Sequence, residues 1–256
     1  MRIEGKVAIV TGASEGIGAA CAAEFARAGA RLSVTARSEE GLRKAAPGAL
    51  IVPGDLTEDA TRRRVVEETV ARYGALDILV NNAGAGLYLP SWSAPMEEAR
   101  RVFELNLFAL LGMVQLAVPH MRARGGGVIV NVGSIGGKVT LPWLTLYCAA
   151  KSAVGTLTEG LRMELRRDGI RAMLVCPGYV QTNFQRNVRL GQPPEAMLRR
   201  RKMAITAARC AHDIRRGVER DARTVMSPAS GWLLAALAGL FPSLVEARLA
   251  AWNGTA

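Results

Sequence analysis

The sequence predicts an α/β protein: a single doubly wound domain with a seven-stranded, mostly parallel sheet, helices on both faces and an extra C-terminal helical segment. Short runs of β-branched and aliphatic residues alternate with longer segments of helical periodicity, which is typical of βαβ units. The predicted strands are almost continuously apolar, as expected for a sheet that helices cover on both faces. No repeat or Pro/Gly/Ser-rich linker interrupts the chain, so we expect one domain over residues 1–256.

The elements follow in order along the chain. Strands are expected at Lys6–Thr11, Arg31–Ala36, Leu50–Val52, Leu76–Asn81, Gly127–Val132, Ile170–Cys176 and Thr224–Ser227. Helices are expected at Gly16–Ala28, Glu39–Ala46, Glu58–Tyr73, Met96–Arg122, Leu146–Arg167 and Met203–Arg220. Two segments fall outside this alternation. Residues 178–202 are rich in proline and polar residues and are expected to form a substrate lid, and residues 228–256 are expected to form a helical extension that Pro242 interrupts.

Composition excludes several classes of protein. The chain has 33 Lys and Arg against 22 Asp and Glu, a net charge of +11, but it lacks a basic tail or a basic run interleaved with aromatic residues, so we predict no nucleic-acid partner. The four cysteines are far apart and the two histidines lack ligand spacing, which predicts free thiols and no metal site. No signal peptide is recognisable and the longest apolar run, Trp232–Phe241, is too short to span a bilayer, so the expected location is the cytoplasm.

A glycine-rich turn follows the first predicted strand and opens the first predicted helix. Glycines allow a tight turn and a close backbone approach to a pyrophosphate, while the helix N-terminus offers N–H groups to the anion. The candidate dinucleotide-binding residues here are Gly12, Ser14, Glu15, Gly16, Ile17 and Gly18. The alternative is a glycine-rich turn without a ligand.

The segment from Gly12 to Gly16 also satisfies the G-x-S-x-G pattern of serine hydrolases. That pattern needs a histidine base later in the chain, and it normally follows several strands rather than the first. His120 and His212 are better interpreted as surface or helix residues. We therefore reject the hydrolase interpretation.

The residues after the second predicted strand indicate which dinucleotide binds. An acidic residue there would bond the ribose 2′-hydroxyl of NAD, but this strand is followed by Arg37, which can pair with the 2′-phosphate of NADP. The sequence therefore favours NADP over NAD. The alternative is that Arg37 is an ordinary solvated surface charge.

Tyr147 and Lys151 lie four residues apart in a predicted helix, so their side chains share one face. A neighbouring ammonium favours the phenolate and is expected to lower the pKa of Tyr147. Ser134 follows the fifth predicted strand, where open α/β sheets bind ligands. The spacing of the three residues indicates an acid–base site at this edge of the sheet.

At this point the sequence resembles the short-chain dehydrogenase/reductase family, whose fold is a Rossmann-type domain. The matching residues, from residue 6 to about 183, are the turn Thr11–Gly18, Asp55, the block Asn81–Gly84, Asn106, Ser134, Tyr147, Lys151, Pro177, Gly178 and Thr182. The resemblance implies that Tyr147 is the general acid or base, that Ser134 holds the substrate oxygen, that Lys151 assists Tyr147 and bonds the nicotinamide ribose, and that Asn106 holds a water in a proton relay.

The resemblance also assigns the rest of the cofactor site. Asp55 and Leu56 would address the adenine, and Asn82, Ala83 and Gly84 would line the side of the adenosine ribose. Pro177, Gly178, Val180 and Thr182 would approach the nicotinamide. The implied function is hydride transfer between NADP(H) and a small carbonyl compound or secondary alcohol, in a homodimer or homotetramer. The alternatives are a non-catalytic dinucleotide-binding sensor and a ketoacyl-thioester reductase.

The tail departs from the ending of ketoacyl-carrier-protein reductases and is more similar to family members that act on lipophilic substrates. In one interpretation the apolar run packs over the substrate pocket or a dimer interface. In the other, it docks on an anionic membrane surface or an acyl carrier together with neighbouring arginines. Those arginines are Arg199, Arg200, Arg201, Arg215 and Arg216.

Overall fold

The computed structural model describes residues 1–185, 188, 190–191 and 204–251. Within these residues the strands are β1 (Val7–Thr11), β2 (Arg31–Thr35), β3 (Leu50–Ile51), β4 (Ile78–Asn81), β5 (Gly127–Val132), β6 (Ile170–Pro177), β7 (Val180–Gln181), β8 (Ile205–Thr206) and β9 (Thr224–Ser227). The helices are α1 (Gly16–Arg27), α2 (Glu39–Ala45), α3 (Asp59–Tyr73), α4 (Met96–Phe103), α5 (Ala109–Ala123), α6 (Thr145–Glu164), α7 (Ala207–Glu219), α8 (Gly231–Leu240) and α9 (Pro242–Ala250).

Seven strands form one sheet in the order β3-β2-β1-β4-β5-β6-β9. Every pairing within it is parallel, so the predicted doubly wound sheet is confirmed, and it is wholly rather than mostly parallel. The chain runs outward from β1 to β3 and then crosses back to β4 on the other side of β1. The carboxyl ends of β1 and β4 therefore define the switch point at which such sheets bind ligands.

Both faces of the sheet are covered, because successive side chains of its strands point into two different cores. Ile129 of β5 packs into the core that contains residues of α3, α5 and α6. Its neighbours Val128 and Val130 pack into the core that contains residues of α1, α2 and α7. This arrangement explains why the strands are almost continuously apolar in sequence. All four cysteines are buried and free, as predicted.

The predicted helix Met96–Arg122 is divided in the structure. A π-helical turn at Glu104–Phe108 separates α4 from α5. Within this turn the Asn106 amide donates to the carbonyl of Val102, at 2.8 Å, and to that of Ala85, at 2.9 Å. The extra residue in the turn is thus associated with a buried polar side chain, as π-helical turns often are at functional sites.

Two other helices also begin or end at residues different from those predicted. The predicted helix Leu146–Arg167 begins at Thr145 and ends at Glu164, and a separate 3₁₀ turn follows it at Arg166–Asp168. The predicted helix Met203–Arg220 begins only at Ala207. Ile205 and Thr206 instead form β8, which pairs with β7, and the Thr206 side chain caps α7 by accepting from the backbone N–H of Arg209.

Much of the predicted lid, residues 178–202, lies outside the described residues, namely residues 186, 187, 189 and 192–202, and these include Arg199, Arg200 and Arg201. The predicted C-terminal helical extension is confirmed by α8 and α9, which are bent by 110° relative to each other. No residue of either helix lines the cavity at the carboxyl edge of the sheet. In the described chain, the apolar run therefore does not pack over the pocket.

A buried polar ladder ties α6 to the centre of the sheet. The Asn81 amide on β4 donates to Asn131 Oδ1 on β5, and the Asn131 amide donates to the hydroxyl of Thr158 on α6, both at 3.0 Å. The Thr158 hydroxyl donates in turn to the Val154 carbonyl. All three side chains of the ladder are buried, so each hydrogen bond replaces water that cannot reach the site.

We expect Thr158→Val to lower the free energy of unfolding by about 1–3 kcal/mol, because the substitution keeps the shape of the side chain but leaves the buried Asn131 amide without its acceptor. Urea unfolding followed by circular dichroism measures this change. Thr156→Val on the same helix is the matched control, since the Thr156 hydroxyl is exposed. Equal losses in the two variants would contradict the role of the ladder.

Candidate active site

A cavity of about 1000 Å³ lies at the carboxyl edge of the sheet. The predicted site residues that line it are Gly12, Ser14, Glu15, Gly16, Ile17, Arg37, Asp55, Leu56, Asn82, Ala83, Gly84, Ser134, Tyr147, Lys151, Pro177, Gly178, Val180 and Thr182. Gly18 and Asn106 are the two predicted site residues outside this lining, and both lie directly behind it. The fold thus brings segments that are up to 170 residues apart in sequence, from Gly12 to Thr182, onto one wall.

The glycine-rich turn forms one end of the cavity. Gly12 has a φ of +62°, a conformation that favours glycine, and an added Cβ would lie 2.9 Å from Ala83 Cα. An added Cβ on Gly18 would collide with the Gly12 carbonyl and lie 2.5 Å from Asn82 Nδ2. Gly18 therefore permits close packing of α1 against the sheet, and it does not line the cavity as the sequence analysis expected.

The N-terminus of α1 offers unpaired donors beside this turn. The backbone N–H of Ala19 bonds to the Glu15 carbonyl, so the N–H groups of Gly16, Ile17 and Gly18 have no acceptor within the helix. Glu15 makes no side-chain cap; its carboxylate accepts from the Asn183 amide at 2.9 Å. The helix terminus can therefore bind an anion in the cavity.

Thr11 and Asn82 hold the turn against the end of β4. The Thr11 hydroxyl accepts from the backbone N–H groups of Asn82 and Ala83, at 2.9 and 3.0 Å. The Asn82 side-chain amide donates to the carbonyls of Thr11 and Gly12, at 2.9 and 3.2 Å. These four bonds satisfy the polar groups at the switch point and fix the width of the cavity there.

The far side of the turn carries the predicted determinants of the dinucleotide. Arg37 lines the cavity with an exposed side chain, and no carboxylate of a described residue pairs with it. The next residue, Ser38, caps α2 by accepting from the Gly41 N–H at 3.1 Å. Asp55 Oδ1 accepts from the backbone N–H and the hydroxyl of Thr57, both at 2.9 Å, which shapes the loop beside Leu56.

The predicted reactive residues meet at the other end of the cavity. α6 presents Tyr147, and the turn after β5 presents Ser134, whose hydroxyl lies beside the Tyr147 phenol. Burial raises the pKa of Tyr147 well above its ordinary value, and the neighbouring Ser134 hydroxyl opposes this shift only in part. The phenol is therefore protonated at neutral pH in the chain without ligands.

Lys151 lies one helical turn after Tyr147 and is only 4% exposed. Its Nζ donates to the Val132 carbonyl at the end of β5, at 2.8 Å, and lies 5.7 Å from the centre of the Tyr147 ring. Burial lowers the pKa of Lys151 to about 8. The prediction that Lys151 lowers the pKa of Tyr147 is wrong for the ligand-free structure. Burial of the phenol is the largest cause of its shift and raises the pKa, and the Lys151 ammonium donates to the Val132 carbonyl of β5.

Asn106 lies behind the cavity, fully buried. Its Oδ1 has no hydrogen-bond partner in the described part of the chain. An added Cβ on Gly84 would lie 2.6 Å from this oxygen and 3.3 Å from Lys151 Nζ. Only a residue without a side chain fits at position 84, so the Gly84 backbone packs closely against the Asn106 oxygen and beside Lys151 Nζ.

Sequence reasoning missed the apolar wall beyond Tyr147. Side chains from three separate segments, one of which leads into α6, form this wall: Tyr88, Leu141, Leu144, Tyr179 and Phe184. The Phe184 ring lies 5.5 Å from the Tyr147 ring, centre to centre. No sequence motif marks these residues, although Tyr179 and Phe184 fall within the segment predicted to be a lid.

The residues present fit a dinucleotide. At one end, the N–H groups that have no acceptor within α1 and an arginine that pairs with no described carboxylate suit phosphates. Gly84 and the buried Lys151 line the other end of the cavity together with Ser134 and Tyr147. Among the described residues no group of three His, Cys, Asp or Glu side chains could hold a metal ion.

Comparison with solved structures supports the same interpretation of the fold. A short chain dehydrogenase from Burkholderia cenocepacia J2315, in complex with NADP, is 30% identical, with a TM-score of 0.82 over 97% of this chain and 99% of that one. A 3-ketoacyl-(acyl-carrier-protein) reductase from Brucella melitensis, complexed with NADH, is 27% identical, with a TM-score of 0.79 over 88% of this chain and 97% of that one.

Sequence comparison agrees with the structural comparison. L-fucose dehydrogenase of Mus musculus is 36% identical over 188 residues, which are 71% of this chain and 67% of that protein. The family profile described as short chain dehydrogenase matches residues 6–193, which include the glycine-rich turn, Ser134, Tyr147 and Lys151. With the parallel sheet and these residues gathered on one cavity, the chain belongs to the short-chain dehydrogenase/reductase family.

Proposed function

We propose that the protein is an oxidoreductase that transfers a hydride between NADP(H) and the carbonyl or secondary alcohol group of a lipophilic small molecule. The observation that carries this proposal is the meeting of Ser134, Tyr147 and Lys151 at one end of a cavity whose other end is a glycine-rich helix N-terminus. When bound, the nicotinamide supplies or accepts the hydride. The chain itself provides the proton and the binding energy.

Tyr147 is the proposed general acid for carbonyl reduction. Its buried phenol holds a proton at neutral pH and can give it to the substrate oxygen, and in alcohol oxidation the same oxygen accepts a proton. The Ser134 hydroxyl lies beside the phenol, and when substrate binds it can donate its one proton to the substrate oxygen as charge develops there. These two groups define where the reacting oxygen lies.

Lys151 and Asn106 are proposed to return the proton to Tyr147. With a pKa near 8, Lys151 can hold or release a proton close to neutral pH. In this proposal a water near Gly84 accepts from Lys151 and donates to Asn106 Oδ1, which has no hydrogen-bond partner among the described residues. Lys151 is also proposed to bond the ribose next to the nicotinamide.

The preference for NADP rests on Arg37. No carboxylate stands directly at the end of β2, and the exposed Arg37 guanidinium on the cavity wall pairs with no carboxylate of a described residue, so it can pair with a 2′-phosphate. The Burkholderia cenocepacia relative is in complex with NADP, whereas the Brucella melitensis relative is complexed with NADH. The family therefore accepts both dinucleotides, and the local charge decides between them.

The lipophilic substrate is inferred from the wall beyond Tyr147. Leu141, Leu144 and Phe184 contribute aliphatic and aromatic surface there, and Tyr88 and Tyr179 add two rings with polar tips. Such a wall binds an apolar body and leaves the carbonyl for Ser134 and Tyr147. Reduction of a ketoacyl thioester is a second candidate because the Brucella melitensis relative is a ketoacyl reductase.

We expect Tyr147→Phe to lower kcat by about 100-fold or more on a panel of ketones and aldehydes, because the variant loses the proton donor but keeps the ring. Cofactor absorbance measures the rate, and fluorescence titration with NADPH checks that the dinucleotide dissociation constant is little changed. Tyr73→Phe is the matched control, since the Tyr73 hydroxyl bonds to the Leu32 carbonyl. Undiminished turnover by Tyr147→Phe would exclude the acid role, and a wild type that binds NADPH but reduces nothing on the panel would favour the sensor.

We expect Arg37→Ser to raise the KM for NADPH about 10–100-fold and to leave the KM for NADH nearly unchanged, since one charge-assisted bond to the 2′-phosphate is lost. Steady-state kinetics with both dinucleotides measure the ratio. Arg43→Ser, which removes an exposed arginine of α2, is the control for net charge. A parallel change with both dinucleotides would remove the basis for NADP preference.

We expect burial of Lys151 to make the stability of the ligand-free protein depend on pH. Because the folded lysine has a pKa of about 8 and the unfolded one about 10.5, the unfolded chain binds more protons between these values, and stability rises with pH. The free energy of unfolding of the wild type relative to Lys151→Met should increase by about 2–3 kcal/mol over this range. Urea unfolding at both pH values tests this, and a difference independent of pH would mean that the ammonium stays hydrated.

A further inference from the structure

The two C-terminal helices present large apolar side chains to solvent. We call residues 231–250, which form α8 and α9, the C-terminal hairpin. Neither helix contains a buried residue. The exposed fractions lie between 39% and 72% for Trp232, Leu233, Leu234, Leu237, Leu240 and Leu244. In the described part of the chain, no segment covers this surface.

Helix α8 packs against the protein through its small residues and exposes its leucines, the reverse of the arrangement expected in water. Its half-buried residues are Gly231, Ala235 and Ala238, one stripe of small side chains. Leu233 and Leu237 point outward with Leu240 along another stripe. A helix on the surface of a water-soluble protein turns its large apolar residues inward, whereas helices that contact lipid often pack through small residues and expose large ones.

The charge pattern favours lipid over a protein partner. Between Arg223 and Glu246 the chain carries no charged residue, while the whole chain carries +11. Protein interfaces combine an apolar centre with a polar rim and many hydrogen bonds, but the outward stripe of α8 offers only leucine side chains. An apolar element on a positively charged protein is complementary to the acyl region and headgroups of an anionic bilayer.

The net charge supports this argument more than the arginines singled out in the sequence do. Arg215 is not free to meet lipid, because it pairs with Glu24 at 2.9 Å and Glu219 at 2.6 Å. Arg216 is exposed, and Arg248 lies within α9 itself. Of the arginines near the hairpin in sequence, Arg216 and Arg248 are therefore better placed to meet lipid headgroups than Arg215.

The hairpin is too short to cross a bilayer as a straight helix. α8 has ten residues, about 15 Å of helix against a hydrocarbon core of about 30 Å, and the 110° bend turns α9 away from its axis. The longer apolar helical segment Met96–Ala123 belongs to the core, with 44% of its most apolar window buried. The geometry of the hairpin suits shallow insertion parallel to the membrane surface.

The hairpin also adjoins the cavity. An added Cβ on Gly231, at the start of α8, would lie 3.5 Å from Ile135 Cδ1 and 2.7 Å from Met226 Sδ. Ile135 lines the cavity next to Ser134. One side chain therefore separates the start of the hairpin from the reactive end of the cavity.

We propose that the C-terminal hairpin docks the protein on the surface of an anionic lipid bilayer, with the leucine stripe of α8 inserted among the lipids. The hairpin then holds the reactive end of the cavity near the membrane. The docking does not depend on the reaction, so it stands or falls separately from the proposed function.

Flotation of the full chain with vesicles of phosphatidylcholine and phosphatidylglycerol tests the proposal. We expect the wild type to float with the vesicles at low salt, and Leu233→Asp/Leu237→Asp to reduce the bound fraction about tenfold or more, because two inserted side chains are lost and two charges oppose the headgroups. Met96→Asp/Met163→Asp is the matched control, since both methionines are exposed elsewhere, and it should float like the wild type. Circular dichroism and thermal unfolding check that each variant folds.

Two results would overturn the proposal. One is a wild type that stays with the soluble fraction, or a Leu233→Asp/Leu237→Asp variant that floats as well as the wild type. The other is light scattering showing that the wild type is an oligomer without lipid and that Leu233→Asp/Leu237→Asp alone dissociates it, since the leucine stripe would then join two copies of the chain.

Discussion

The reactive end of this protein depends on how α6 is held against the end of β5. Thr158 bonds to Asn131 inside the core, and Lys151 bonds to the Val132 carbonyl at the edge of the sheet. Ser134 comes from the turn after β5, whereas Tyr147 and Lys151 come from α6, so these two contacts set the distance between the phenol and the serine. A buried polar ladder is well suited to this task, because a shift of the helix would leave its amide unsatisfied. Hydrogen bonds in the core and at the sheet edge thus fix α6, and with it Tyr147 and Lys151, relative to β5.

Burial shifts the pKa values of Tyr147 and Lys151 in opposite directions. It holds the proton on the Tyr147 phenol and loosens the proton on the Lys151 ammonium, since both shifts favour the neutral form. Before ligands bind, the site therefore has a protonated phenol beside a lysine whose pKa of about 8 is close to neutral pH. Behind Gly84 lies the buried Asn106 oxygen, which has no hydrogen-bond partner in the part of the chain that the structure describes. Bound dinucleotide and substrate would act on groups that burial has already prepared.

The positive charge of the chain and the apolar hairpin address different parts of the surface. Arg37 lies on the cavity wall, where it can pair with a single phosphate group. Arg215 is part of an ion-pair cluster with Glu24 between α1 and α7 and contributes to packing. The hairpin has almost no charge of its own, and it adjoins the cavity through Ile135. If lipid covers it, the neutral hairpin supplies the contact with acyl chains and the surplus charge of the rest of the chain supplies the attraction to the membrane.

Much of this structure is determined by the sequence alone. Apolar periodicity predicted the seven strands, and the glycine-rich turn, Ser134, Tyr147 and Lys151 predicted one shared cavity, because the carboxyl ends of parallel strands meet at one edge. The turn at Asn106, the packing role of Gly18 and the apolar wall of Tyr88, Leu141 and Phe184 came only from the tertiary structure. Local patterns encode periodicity and turn chemistry, whereas those features depend on contacts between residues far apart in the chain. The same holds for the site's pKa values and the reversed face of α8, since burial is set by the whole fold.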